Sequence, residues 1–192
     1  MRIILATGNR GKARELGALL GDRVSVAAVP PGFVVAETGE TFFQNALLKA
    51  RAARAITPDD ELVLADDSGL AVRALDGRPG VQSARYAGAQ ASDASNCGRL
   101  LEELDGTIDR RAAFVCVLVA LAADDTMTVA CGTCPGVIAD ARRGESGFGY
   151  DPVFIPDGRT HAMAELTAEQ KNAISHRGRA ATRLARALGV AS

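Results

Sequence analysis

Two apolar segments in the middle of the chain constrain its fold more strongly than any other feature. Residues 112–122 and 126–138 are long apolar runs, and the acidic pair Asp124-Asp125 lies between them. Two such runs on either side of a polar turn indicate a hairpin of long strands. Because shorter strand-like runs elsewhere alternate with helical patterns, the sequence predicts an α/β fold in which this hairpin can form a second lobe.

The other predicted elements follow from hydrophobic periodicity and from glycine, proline and capping residues. Further strands are predicted at residues 2–6, 24–29, 62–65, 70–75 and 150–155. Helices are predicted after Asn9 to Gly21, from about Glu40 to before Pro58, from a cap at Ser92 or Asp93 to near Gly106, from Thr167 to Lys171, and from Ser175 to Gly189. Residues 66–69 are interpreted as an acidic turn and residues 77–88 as a loop.

Composition excludes several classes of protein. The formal net charge is −1, which argues against broad electrostatic binding to nucleic acid or to an anionic membrane. No apolar run approaches the ~20 residues that span a bilayer, and the N-terminal segment lacks the features of a signal peptide. The four cysteines show no pattern of a secreted disulfide framework, so a reduced, cytoplasmic protein is expected.

Cys131 and Cys134 form a C-x-x-C pair, which can be a redox pair or half of a zinc site. The sequence has no second C-x-x-C and no thioredoxin-like setting. We therefore interpret the two cysteines as small residues of a strand, one facing in and one facing out.

The segment from Thr7 to Lys12 lies between a predicted strand and a predicted helix. Unpaired N–H groups at a helix start, together with the charges of Arg10 and Lys12, suit a polyphosphate. The spacing does not fit a Walker A loop, because the glycines are too close together and Ala13 stands where that loop has a hydroxyl. An ordinary Asn/Gly turn with two solvated cations is the alternative.

Asp66 and Asp67 follow the apolar run of residues 62–65. Adjacent carboxylates repel each other unless a cation or hydrogen-bond donors offset the repulsion, and such oxygen ligands suit Mg²⁺. If residues 3–6 and 62–65 are parallel strands, the carboxylates and the Thr7 segment share the sheet edge where α/β proteins bind ligands. The long helix that follows Glu37 returns its N-terminal end to the same edge.

A third group of residues lies late in the chain, in a glycine-flanked aromatic segment and at two later positions. Phe148 can lie flat against a purine, and Lys171, His176 and Arg177 can donate to a keto oxygen. Each of these residues also has a purely structural interpretation, with Phe148 in a core and His176-Arg177 in the polar first turn of a helix.

Together these motifs resemble the inosine-triphosphate pyrophosphatase (XTP/dITP diphosphatase) family. The matching segments run in order along most of the chain: LATGNRGKARELGALL, ETGETFFQNALLKARAA, LADDSGLAVRALDGRPGVQSARYAG, FGYDPVFIP and AELTAEQKNAISHRG. The resemblance implies a single elongated α/β domain over residues 1–192, with a mixed sheet and two lobes around a central nucleotide-binding cleft. It also implies a homodimer that uses Mg²⁺ to cleave ITP, dITP and XTP between the α and β phosphates, and so keeps deaminated purines out of DNA and RNA.

The resemblance also implies roles for particular residues. The polyphosphate would be held by Thr7, Gly8, Asn9, Arg10, Gly11 and Lys12, and Lys12 would take charge as pyrophosphate leaves. Magnesium would be held by Glu37, Asp66 and Asp67, with Asp67 also the base for the attacking water. The substrate would be contacted by Ser68, and its base and sugar by Phe148, Gly149, Tyr150, Asp151, Lys171, His176 and Arg177.

Two positions depart from the family pattern. Gln44 stands where bacterial relatives often have Glu, which would alter metal number or affinity if that position contributes, and Cys134 stands where Trp is common. Two other functions stay open: a pyrophosphatase for modified pyrimidines, and a nucleotide-binding sensor without turnover.

Overall fold

The computed structural model describes residues 1–21 and 24–190. Within these ranges the chain forms one six-stranded sheet, in the order β2-β1-β3-β4-β5-β6, and five α-helices. The strands are β1 (Arg2–Ala6), β2 (Ser25–Ala28), β3 (Leu62–Val72), β4 (Arg111–Leu121), β5 (Met127–Ile138) and β6 (Phe154–Pro156). The helices are α1 (Arg10–Leu20), α2 (Phe42–Arg54), α3 (Asp93–Glu103), α4 (Ala168–Ile174) and α5 (His176–Ala187). Among the described helices, none combines the length and the hydropathy that a membrane crossing requires.

The predicted α/β fold and the predicted mid-chain hairpin are confirmed. Strands β4 and β5 are neighbours in the sheet and are joined by a short turn, in which Asp125 has a φ of 63°. Strand β1 pairs in parallel with both β2 and β3, and its register sets Ala6 beside Ala65. The parallel pairing that the ligand-edge prediction required is therefore present.

Three predictions of local structure are wrong. Residues 70–75 are not a strand throughout, because β3 ends at Val72 and Arg73–Leu75 is a 3₁₀ turn. Residues 66–69 are not a turn, because β3 continues through them to Val72. The two carboxylates remain in a buried strand because cationic side chains contact them, as described below. Residues 150–153 are not a strand either: Asp151–Val153 is a 3₁₀ turn with a proline in its first turn, and β6 begins only at Phe154.

The described residues form two compact units. Unit 1 comprises Met1–Asp67, Cys116–Gly132 and His176–Ser192, and unit 2 comprises Ser68–Val115 and Thr133–Ser175. Strands β3, β4 and β5 each contribute residues to both units.

Unit 1 has a hydrophobic cluster on each face of its strands. In β1 the side chains of Ile3 and Leu5 belong to one cluster, and those of Ile4 and Ala6 belong to the other. This is the alternation that a strand covered on both faces produces. Helices α1 and α5 pack on the first face, and α2 covers the second.

Unit 2 has a single core, in which the rings of Phe114 and Phe154 lie 4.6 Å apart. Cys134 is buried in this core, whereas Cys131 is exposed. The interpretation of the C-x-x-C pair as one inward and one outward residue of a strand is confirmed.

Candidate active site

The N-terminal segment that was predicted to bind phosphate joins β1 to α1. Asn9 caps α1, and its Oδ1 accepts a hydrogen bond of 3.1 Å from the Lys12 N–H. Thr7 Oγ1 accepts a hydrogen bond of 3.2 Å from the Asn9 N–H, which fixes the turn before the helix. A Cβ atom built at Gly8 meets no atom within 4 Å, so open space borders the turn. The side chain of Arg10 lies outside the part that the structure describes, and its role stays a prediction.

Asp66 is fully buried and is surrounded by cations. Lys12 Nζ lies 2.5 Å from its Oδ1, and Arg177 Nε lies 3.7 Å from its Oδ2. The thiol of Cys116, on the neighbouring strand β4, donates to the same Oδ2 over 3.4 Å. Burial alone raises the pKa of Asp66, but Lys12, Arg177 and Lys49 outweigh that effect and hold the pKa well below its ordinary value. Asp66 is therefore an ionised carboxylate whose two oxygens both contact protein groups.

Asp67 has a different environment. Its Oδ1 lies 3.3 Å from Lys49 Nζ, and the same nitrogen lies 2.8 Å from Glu37 Oε1. Its Oδ2 is buried and has no hydrogen-bond partner among the described residues. Burial raises the pKa of Asp67 and exceeds the opposing effect of Lys49. A carboxylate with a raised pKa and an unoccupied oxygen is suited to accept a proton.

Lys49 is a functional candidate that reasoning from the sequence missed. It lies on the inward face of α2, next to the buried residues Ala46, Ala50 and Ala53. Burial lowers the pKa of Lys49, but the negative charges of Asp67, Asp66 and Glu37 raise it by more. The net pKa is therefore above its ordinary value, and the group is a cation. A lysine on an otherwise small and apolar helix face was the signal that could have revealed it, because a buried ammonium needs carboxylate partners.

Glu37 and Asp67 fit a magnesium ion by their chemistry. Both carboxylates meet at one ammonium group, and Asp67 Oδ2 is a hard oxygen donor without a partner. Mg²⁺ commonly takes one or two protein carboxylates and completes its octahedron with water and phosphate oxygens. Among the described residues, no group of three or more His, Cys, Asp and Glu side chains is arranged as a metal site. The predicted set of Glu37, Asp66 and Asp67 thus stays a prediction.

The predicted residues at the start of α5 lie in unit 1. His176 and Arg177 are 4% and 2% exposed, so they form a polar first turn of α5 that is buried. The Arg177 guanidinium forms an ion pair with Glu15 of α1. The structure thus brings Arg177 together with Asp66 and Lys12, whereas its predicted contact with the base or sugar is untested.

The aromatic segment and Lys171 lie together in unit 2. Asp151 is buried, and its Oδ2 accepts hydrogen bonds from the Phe148 N–H at 2.8 Å and from Lys171 Nζ at 2.5 Å. Lys171 Nζ also lies 4.9 Å from the centre of the Phe148 ring. Gly149 donates its N–H to Asp93 Oδ2 over 2.7 Å. Asp151 therefore holds an aromatic ring and a cation side by side.

Two other predicted substrate residues have clear positions in the structure. Tyr150 is 3% exposed, and its hydroxyl donates to the Ser83 carbonyl over 2.9 Å. It contributes to the unit 2 core, and its predicted contact with substrate is untested. Ser68 is a half-buried residue of β3 that directly follows Asp67.

Gln44 has a structural role in the capping of α2. Its Oε1 accepts hydrogen bonds from the N–H groups of Glu40 at 2.7 Å and Thr41 at 3.1 Å, and the Thr41 hydroxyl accepts from the Gln44 N–H at 3.2 Å. This is a capping box. Glu and Gln are both suited to it, because the side-chain oxygen is the atom that accepts the hydrogen bonds.

Comparison with known proteins agrees with this geometry. The profile of the Ham1 family matches residues 3–187. A dITP/XTP pyrophosphatase of Geobacillus kaustophilus is 51% identical over 190 residues, which cover 95% of this chain and 91% of that protein. The Shigella flexneri dITP/XTP pyrophosphatase is 50% identical over 186 residues, or 93% of each chain. The solved structure of the Staphylococcus aureus Ham1 protein superposes with a TM-score of 0.88 at 44% identity, over 98% of each chain. The arrangement of the sheet, the matched segments and these similarities together show that the chain belongs to the Ham1 family.

Proposed function

We propose that this protein is a Mg²⁺-dependent nucleoside-triphosphate pyrophosphatase that hydrolyses dITP, ITP and XTP to the monophosphate and pyrophosphate. The observation that carries this function is the Lys49 ammonium, which contacts both Glu37 and Asp67, while Lys12 of α1 contacts Asp66, the neighbouring residue of β3. Phosphate-binding cations and hard oxygen ligands thus occur together. The names of the relatives, dITP/XTP pyrophosphatases, support the same reaction.

In this reaction the residues of unit 1 bind phosphate and move one proton. The N-terminal amides of α1 and the Lys12 ammonium bind the phosphates that leave as pyrophosphate. Asp67 accepts a proton from water, the resulting hydroxide bonds to the α-phosphorus, and the bond from that phosphorus to the bridging oxygen breaks. Glu37 and Asp67 would hold Mg²⁺, which would supply charge neutralisation of the phosphates. Asp66 is already paired with Lys12, so its contribution is to hold that lysine in place.

The proposed base preference concerns the cluster in unit 2. Hypoxanthine and xanthine present O6 as an acceptor, so the Phe148 ring can stack on the purine while Lys171 donates to O6. Adenine presents a donor at that position, so the two donors face each other and no hydrogen bond to the base forms, which is unfavourable in a buried site. The homodimer that the family resemblance implies, and the cytoplasmic location expected from the cysteine pattern, are part of the same proposal.

Release of pyrophosphate from dITP, ITP, XTP, GTP, ATP and dUTP, with Mg²⁺ and with EDTA, tests this function. We expect rapid release from dITP, ITP and XTP, slow release from GTP, and none in EDTA. Preference for dUTP would instead favour a pyrophosphatase for modified pyrimidines. Tight binding of dITP without release would favour a sensor, and rapid turnover of ATP would contradict the proposed base preference.

A further inference from the structure

In unit 1, a chain of alternating charges begins at Lys12 and ends at Glu15. Lys12 contacts Asp66 at 2.5 Å, Asp66 lies 3.7 Å from Arg177, and Arg177 pairs with Glu15. The side chains of Lys12, Asp66, Arg177 and Glu15 are 14%, 0%, 2% and 11% exposed. Glu15 takes no part in the proposed reaction.

The two ends of this chain lie on the same helix face. Lys12 and Glu15 are three residues apart in α1, and residues at that spacing are neighbours on a helix surface. The other two members come from different elements, Asp66 from β3 and Arg177 from the first turn of α5. The contacts therefore form a closed circuit that leaves α1 at Glu15 and returns to it at Lys12.

Burial makes the members of this circuit depend on one another. A charge in a desolvated position is destabilised strongly when one partner is removed, and its remaining partners are drawn toward it. Without the Glu15 carboxylate, Arg177 is left with an excess of positive charge and is attracted toward Asp66. Asp66 can then turn toward the guanidinium, and its contact with Lys12 weakens.

We propose that Glu15 is a positioning residue, which acts through Arg177 and Asp66 to hold the Lys12 ammonium at the start of α1. This role rests on the proposed binding of pyrophosphate by Lys12. Glu15 itself does not touch the substrate; its charge determines where a phosphate-binding cation lies.

A purely structural role is the competing explanation, because α1 and α5 pack against each other and the Glu15–Arg177 pair joins them. The two explanations differ in what happens when Lys12 is absent. If Glu15 acts through Lys12, its substitution has no further effect on phosphate affinity in a Lys12→Met background. If Glu15 only joins the helices, its effect on affinity is the same in both backgrounds.

The test is calorimetric binding of inorganic pyrophosphate, in buffer with Mg²⁺, to the full-length wild type, Glu15→Gln, Lys12→Met and the double variant. Loss of a positioning partner commonly costs ~10- to 100-fold in affinity at metal sites, and we expect at least about tenfold for Glu15→Gln. The double variant should bind as weakly as Lys12→Met. Additive losses, or a Glu15→Gln variant with wild-type affinity, would overturn the proposed role.

Glu61 provides a matched control in the same unit. It is a buried glutamate, 7% exposed, which pairs with Arg2 over 2.8 Å. Glu61→Gln should lower the unfolding temperature but leave pyrophosphate affinity unchanged, and an equal loss of affinity would overturn the role of Glu15. If Glu15→Gln does not fold, Glu15→Asp keeps the charge at a shorter reach and allows the same comparison.

The outcome also separates this inference from the proposed function. If the wild type releases no pyrophosphate from any of the tested nucleotides, the proposed function is refuted. An active wild type in which Lys12→Met weakens pyrophosphate binding, while Glu15→Gln does not, would refute the role of Glu15 alone.

Discussion

The ammonium nitrogen of Lys49 lies 3.3 Å from Oδ1 of Asp67, and both side chains are buried. A carboxylate next to another carboxylate, inside a strand, would otherwise face strong repulsion. The lysine offsets this repulsion and fixes the orientation of Asp67, so that its second oxygen stays available. The pair therefore links the stability of β3 to the chemistry proposed for Asp67.

Replacement of this lysine should lower activity far more than it lowers stability. Lys49→Met keeps the length of the side chain but removes the cation that contacts Glu37 and Asp67. Loss of a preorganised charged donor typically costs ~10²- to 10³-fold in turnover, and we expect that range for kcat on dITP. Arg51→Met, an exposed change on the same helix, is the control. Equal activity of the two variants would contradict the role of Lys49.

Asp67→Asn should abolish turnover while the fold persists. Asparagine has the same shape as aspartate but cannot accept the proton from water, and loss of a general base costs ~10²- to 10⁴-fold. We expect kcat to fall by at least that factor while the far-ultraviolet circular dichroism spectrum remains unchanged. Near-normal activity would show that another group is the base.

Gln44→Glu should leave the magnesium requirement unchanged. The Gln44 side-chain oxygen accepts hydrogen bonds from Glu40 and Thr41 backbone amides, and a glutamate can accept the same bonds. The Mg²⁺ concentration for half-maximal activity should therefore stay within about twofold, because the side chain is engaged as a cap and not as a ligand. Gln44→Ala should cost about 1 kcal/mol of stability by loss of the cap. A large gain in Mg²⁺ affinity for Gln44→Glu would contradict this assignment.

Gly147→Ala should weaken substrate binding by displacing Asp151. A Cβ atom at Gly147 would lie 2.1 Å from Asp151 Oδ2, the oxygen that holds both Phe148 and Lys171. We expect the KM for dITP to rise about tenfold or more, since the ring and the cation both lose their anchor. Gly158→Ala is the matched control, because that glycine also has a positive φ, of 73°, but a Cβ atom there meets nothing within 4 Å.

The two glycine variants should lose stability alike but differ in their effect on KM. Both should lose about 1–2 kcal/mol of stability, because an L-residue is strained in the left-handed region. Only Gly147→Ala should change KM. A rise in KM of the same size for Gly158→Ala would mean that backbone strain alone, and not Asp151, accounts for the effect.

Ionisation of Tyr86 should make the protein less stable in alkali. Burial, together with a hydrogen bond to Glu103, raises its pKa from 10.0 to about 12. Between pH 10 and 12 the unfolded chain releases this proton while the folded protein retains it, so the free energy of unfolding falls as pH rises. The stabilisation that the raised pKa of Tyr86 provides is fully present below pH 10 and is lost as the pH rises through 12. In Tyr86→Phe, denaturant titrations should show a shallower decrease over this range, and parallel decreases in the two proteins would contradict the shift.

Periodicity and capping signals predicted most elements of this fold because those signals are local. Strand β1 begins and ends where expected, and the Asn9 and Ser92 caps set the starts of α1 and α3. The parallel pairing of β1 and β3 was the condition on which the predicted ligand edge depended, and the sheet fulfils it. These features depend on neighbours in sequence, or on the few topologies that α/β proteins adopt.

The errors arose where distant residues override local preference. Asp66 and Asp67 have low strand propensity, and only the cations of Lys12, Lys49 and Arg177 allow them to continue β3. Those partners are far away in sequence, and no pattern near the aspartates indicates their presence. Glu15 was missed for the same reason, because its partner Arg177 is 162 positions away.

The order of its segments determines when this chain can complete its fold during synthesis. The cluster that surrounds Ile3 and Leu5 also contains Ala180 and Leu184, which are synthesised much later than the first strand. At ~5–20 residues per second, the first strand waits on the order of 10 s or more for the helix that covers it. Truncation of α5 should therefore leave an apolar face of the first strand uncovered. The charge circuit that closes at Arg177 can form only after α5 has been synthesised, long after Lys12 and Asp66 have entered the chain.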